Sequence, residues 1–84
     1  MPLYSDYIYF GNSLQNFDYF KIQVLDTLGV ELKYFSSFES MDQYFQDHRG
    51  QFLSIIFYEQ SPSLMTDIRQ LTKLNSYGKE TLLF

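Results

Sequence analysis

Cysteine is absent from the 84 residues, which excludes disulfides and thiolate-held metals. A single histidine is present, and one His without Cys cannot anchor a zinc cluster. Positive charge is scarce as well: six Lys and Arg stand against ten Asp and Glu, a formal charge of −4. No basic run occurs, which argues against nucleic-acid binding by this domain, because phosphate neutralisation by Lys and Arg drives that binding. Long hydrophobic runs are missing too. Nothing approaches the ~20 apolar residues of a membrane span, and Met1-Pro2-Leu3-Tyr4-Ser5-Asp6 has no positively charged leader region. The expectation is a cytoplasmic domain that does not touch membranes.

What the chain has in quantity is aromatic: 20% of residues, nine Phe and eight Tyr, within a hydrophobic fraction of 45%. That argues strongly against disorder, which needs few aromatics. Each ring can bury roughly 150–250 Å², so a body this small is expected to leave some tyrosines outside. Tyr4, Tyr7, Tyr9, Tyr19, Tyr34, Tyr44 and Tyr77 are the candidates. A cluster of them would mark a partner-binding face; a scattered arrangement is equally compatible with the sequence.

Strands and helices alternate along the chain. Tyr7-Ile8-Tyr9-Phe10 is a short apolar run stopped by the turn pair Gly11-Asn12. Ser13 or Asn16 can cap the next helix, whose stripe is Leu14, Phe17, Val24, Leu25 and Leu28, with Gly29 placed to end it. Val30 to Phe35 alternates with period two, as an edge strand does. Ser40 with Gln43 reads as a capping box for a second helix bearing Phe38, Met41, Tyr44 and Phe45, closed by Gly50. Phe52 to Phe57 is apolar on both faces, the mark of a central parallel strand. Ser61-Pro62 reads as an N-cap and first helical proline, followed by the stripe Leu64, Met65, Ile68, Leu71 and Leu74. Thr81-Leu82-Leu83-Phe84 is a fourth strand. The order β-α-β-α-β-α-β predicts one α/β domain over residues 1–84, a parallel sheet with right-handed crossovers. Chains seldom stop inside an apolar strand, so a longer native protein or a partner over this edge is expected.

This layout resembles the receiver domain of two-component response regulators, over all four strands and three helices. The resemblance implies a three-layer flavodoxin-like sheet of strand order 2-1-3-4. In receivers the first strand ends in a magnesium-binding acidic pair; Gly11 and Asn12 stand there in this chain. The third strand ends in the phosphate-accepting aspartate, four residues before a frequent proline, and counting back from Pro62 gives Tyr58, followed by Glu59. Magnesium wants carboxylate oxygens in octahedral array, and Asn12 and Glu59 offer one carbonyl and one carboxylate. A tyrosine of pKa about 10 without a neighbouring base is a poor nucleophile. The resemblance therefore implies a pseudo-receiver: no enzyme, no cofactor, a degenerate pocket of Gly11, Asn12, Tyr58 and Glu59, and signalling through a protein partner or self-association. The expected contact is the fourth-strand edge, with Tyr77, Leu82, Leu83 and Phe84 close together, because an uncovered apolar edge pairs with other chains. The alternative is a sensor of small ligands or phosphorylated metabolites, or a residual enzyme, with Asn12, Tyr58, Glu59 and Ser61 lining the cleft at the first and third strand ends.

Other polar residues have plainer expectations. His48 suits a helix C-terminus, where a cation complements the dipole. Asp42, Asp47 and Glu39 read as a solvated face, and Gly11 as a tight turn without the spacing of a phosphate-cradling loop.

Overall fold

A computed structural model describes residues 4–50 and 53–84. The elements are β1 (Asp6–Phe10), α1 (Leu14–Leu28), β2 (Leu32–Phe35), α2 (Phe38–Asp47), β3 (Ser54–Tyr58), α3 (Leu64–Ser76) and β4 (Glu80–Leu83). All strands are parallel, in the order β2-β1-β3-β4. This is the expected α/β fold, with two central strands. Every residue of β1 is buried, while β4 is mostly exposed. The expected start of β3 at Phe52 lies outside the described residues.

Side chains alternate across the sheet and so build two cores. On one face Ile8, Phe10, Ile56 and Tyr58 meet Met41 and Phe45 of α2 and Leu74 of α3. On the other, Tyr7, Tyr9 and Ile55 meet Val24 of α1, with Phe17, Phe20 and Phe57 packed around them. Two helices thus cover the first face and one covers the second.

Helix starts depart from the sequence expectation at two places. α2 is capped by Ser37, whose Oγ accepts the Ser40 N–H, so Ser40 is the third helical residue. α3 is capped by Ser63, whose Oγ accepts the Thr66 N–H. Ser61 and Pro62 precede the helix because the Asp67 carboxylate takes both the Ser61 N–H, at 3.0 Å, and its hydroxyl, at 2.9 Å. Ser13 caps α1, and Gly29 closes it in the left-handed conformation at φ 69°.

The expected overflow of tyrosine is confined to one residue. Tyr19 is the one exposed tyrosine, at 61%, and the others are buried or partly buried. The reason is polar: the hydroxyls of Tyr4, Tyr9, Tyr44, Tyr58 and Tyr77 donate to the carboxylates of Glu80, Glu59, Asp6, Asp67 and Asp42. A phenol whose hydroxyl has a charged acceptor can go inside with its ring. Asp42 accordingly is not on a solvated face; it accepts from Tyr77 and pairs with Lys73 at 3.1 Å, tying α2 to α3. His48 does cap α2, its Nδ1 lying 2.9 Å from the Tyr44 carbonyl.

Candidate functional site

The turns after β1, β2 and β3 surround a cleft of about 460 Å³ at the carboxyl ends of the strands. Gly11 and Asn12 form one wall, Ser36 to Glu39 another, and Gln60 to Pro62 with Asp67 and Gln70 a third.

Tyr58 and Glu59 are sequence neighbours, yet they serve opposite sides of the sheet. Tyr58 turns into the core under α2 and α3, its ring 5.2 Å from that of Phe10, and it is fully buried. Its hydroxyl donates to Asp67 Oδ1 at 3.0 Å and lies 2.7 Å from Gln70 Oε1. Burial first, and then the bond to Asp67, push its ionisation well above the usual phenol range. Tyr58 is held neutral, as a strut between β3 and α3.

Glu59 leans the other way, across Gly11 and onto the start of α1. Its Oε1 accepts from the Tyr9 hydroxyl at 2.5 Å and its Oε2 from the Asn12 N–H at 3.1 Å. Burial would raise its pKa, but the donors on Tyr9, Asn12, Asn16 and Ser13 outweigh it and hold the carboxyl below the ordinary 4.5. The carboxylate thus sits as an anion near the positive dipole end of α1, bonded to the Asn12 N–H just before the helix. Gly11 permits this. A Cβ there would come within 2.6 Å of Glu59 Cβ and 2.8 Å of its Cδ.

Gly11, Asn12 and Glu59 are therefore brought together, with Tyr58 beneath them and turned away. The residues do not fit a magnesium ion. The Glu59 oxygens already face two donors, Asn12 is exposed, and Gly11 offers no side chain. Among the described residues no group of three or more His, Asp and Glu is placed to hold a metal ion. Among the described residues no Lys, Arg or His lines the cleft.

The second set of site residues separates. Leu82, Leu83 and Phe84 are 50%, 50% and 42% exposed along the outer edge. Tyr77 is not with them: it packs against Phe45 of α2 and bonds Asp42. Asp67 is the residue that sequence reading missed. It lies four positions after the capping Ser63, and the signal was its place on the buried side of α3, next to Leu71 and Leu74 in the helical repeat. Among the described residues no helix is long and apolar enough to cross a membrane.

Compared with protein-family models, with curated proteins and with solved structures, the chain matches none.

Proposed function

We propose that this chain is a receiver-like interaction domain of cytoplasmic signalling that works without aspartyl phosphorylation and without catalysis. The observation that carries the reading is Glu59. At the strand-end junction where receivers hold metal and phosphate, this chain's own carboxylate lies against the N-terminus of α1, fixed by Tyr9 and Asn12. The other residue of the junction, Tyr58, is fully buried and already bonded to Asp67. The frame that positions phosphoryl chemistry is kept, and its polar groups are turned to holding the frame together. Recognition then falls to the surface, where Leu82 and Leu83 leave the edge of β4 apolar and half exposed.

The test is an amide-resolved NMR titration with magnesium and beryllofluoride, a phosphoryl mimic. The reading expects the amides of Gly11, Asn12 and Glu59 to stay where they are. A saturable, magnesium-dependent movement of all three overturns it.

The open cleft supports a second reading, a small-ligand sensor. Its described lining carries Glu39, Glu59 and Asp67 and no cationic residue, which favours a neutral or positively charged ligand over a phosphorylated one. Thermal-shift screening separates the two: stabilisation by such a ligand that is lost in Gln70→Ala favours the sensor.

A further inference from the structure

Among the described residues no strand pairs with the outer edge of β4, and that edge is self-complementary. Phe84 donates its N–H to the Tyr58 carbonyl and accepts from the Gln60 N–H, so both its backbone groups face β3. Parallel pairing alternates, so Leu82 and Glu80 also face β3, while Thr81 and Leu83 turn both backbone groups outward. Two outward residues flanking one inward residue form the pattern that an antiparallel copy of the same three residues would satisfy.

Side chains agree with the backbone. Leu82 is in register with Phe57, on the α1 face, and Leu83 with Tyr58, on the α3 face. α3 meets α2 through Lys73 and Asp42. At 100° per residue, Leu64, Ile68, Thr72 and Asn75 fall on the side of α3 away from α2, above this edge. Leu64, Met65 and Ile68 are 70%, 71% and 51% exposed. No charged residue falls in that sector, and Thr81, Leu82 and Leu83 are uncharged. That matters for a second copy in particular, because across a two-fold axis every charge near the axis meets its own kind. Protected edges carry Lys, Pro or a bulge; this one has none over residues 81–83.

We propose that two copies of this chain join by antiparallel pairing of β4 about a two-fold axis at Leu82, making one continuous sheet from two four-stranded ones. Thr81 of each copy exchanges both backbone hydrogen bonds with Leu83 of the other, and the two Leu82 side chains face each other in the pair between. Leu64, Met65 and Ile68 of α3 and Leu82, Leu83 and Phe84 show on the order of 600 Å² per copy, at about 180 Å² for a fully exposed large apolar side chain. Two copies together could bury at most about 1,200 Å², the lower end for a stable specific interface. The proposal gives the interaction reading its partner and rests on it; the magnesium titration above tests that reading independently of oligomeric state.

The chain has no cysteine, so one introduced thiol reports one contact. Non-hydrogen-bonded antiparallel partners have Cα atoms about 4.5 Å apart, within disulfide reach. Under mild oxidation Leu82→Cys is expected to cross-link to a covalent dimer many times faster than Ile22→Cys, an exposed control on α1. Sedimentation of the unaltered chain, 10.1 kDa, is expected to show a reversible dimer between micromolar and near-millimolar concentration. Leu82→Lys, verified as folded by its circular dichroism and cooperative melt, is expected to weaken it about a hundredfold, from one buried leucine lost per copy. A chain that stays monomeric throughout overturns the proposal. So does equal cross-linking at both positions, or a longer native chain that is monomeric and protects the Thr81 and Leu83 amides from exchange.

Discussion

Gly11→Ala tests the packing of Glu59 over Gly11 most sharply, because its cost should depend on what residue 59 carries. The added Cβ would lie 2.6 Å from Glu59 Cβ, an atom close to the backbone that cannot swing aside. Gly11 is not among the glycines of positive φ, so the backbone itself accepts alanine. Overpacking of this kind costs about 1–3 kcal/mol. Driving Glu59 outward also weakens a charge-assisted bond to the buried Tyr9 hydroxyl, a class of bond that contributes about 1.5–3 kcal/mol. Together the substitution should cost about 2–4 kcal/mol, and each kcal/mol lowers Tm by about 4–8 °C in a domain of this size. In a Glu59→Gly background the obstructing side chain is gone. There Gly11→Ala should be neutral, or stabilising by about 0.4–1 kcal/mol through the unfolded chain. Urea unfolding of the four proteins, with osmolyte added equally where the double variant needs it, gives the coupling energy. A cost that is the same in both backgrounds refutes the Gly11–Glu59 contact.

Stability should fall at both ends of the pH scale, for opposite reasons. Glu59 is held below its ordinary 4.5 as described, and in Asp42 burial is outweighed by bonds from Tyr77 and Lys73 that hold it below 3.8. Their contribution is complete above about pH 4.5 and is lost as pH falls through the folded values. Tyr9, Tyr44 and Tyr58 are raised above 10.0, by burial first and then by Glu59, Asp6 and Asp67, so theirs is complete below about pH 10 and lost above it. A series of urea midpoints against pH checks both arms, and a flat alkaline arm contradicts the tyrosine pairing. Tyr77→Phe should cost about 1 kcal/mol through loss of the Asp42 bond between helices. Thermal melts of Tyr77→Phe, Asp42→Asn and the double variant should show less than additive losses. Tyr58→Phe should destabilise by about 1–2 kcal/mol by removing a donor from the buried Asp67; a loss under a few tenths, read in the same melts, contradicts its role as a strut.

Local rules carried the fold. Apolar runs stopped by Gly11 and Gly29, and the strand-helix alternation, are statements about neighbours in sequence, and they led to the parallel α/β sheet; the order of strands within it came from the resemblance to receivers. Cap selection was less legible: Ser61-Pro62-Ser63 offers two caps, and the choice is made by Asp67, which takes both donors of Ser61. The tyrosine–carboxylate pairs were the least legible. Tyr44 and Asp6, or Tyr77 and Asp42, are joined by the fold and share no short spacing. One feature of the site was available from the start. Successive residues leaving a strand point to opposite faces, so Tyr58 and Glu59 could not line one pocket with both side chains.

The Glu59 carboxylate is bonded to Tyr9 and Asn12 beside the start of α1, and the proposed receiver-like reading stands on that contact. Carbon-detected NMR of that carboxyl, titrated with acid with and without magnesium, measures it directly. The expected midpoint lies below the ordinary glutamate value of 4.5 and is unchanged by magnesium. A midpoint at or above that value, moved downward when magnesium is added, would contradict that reading.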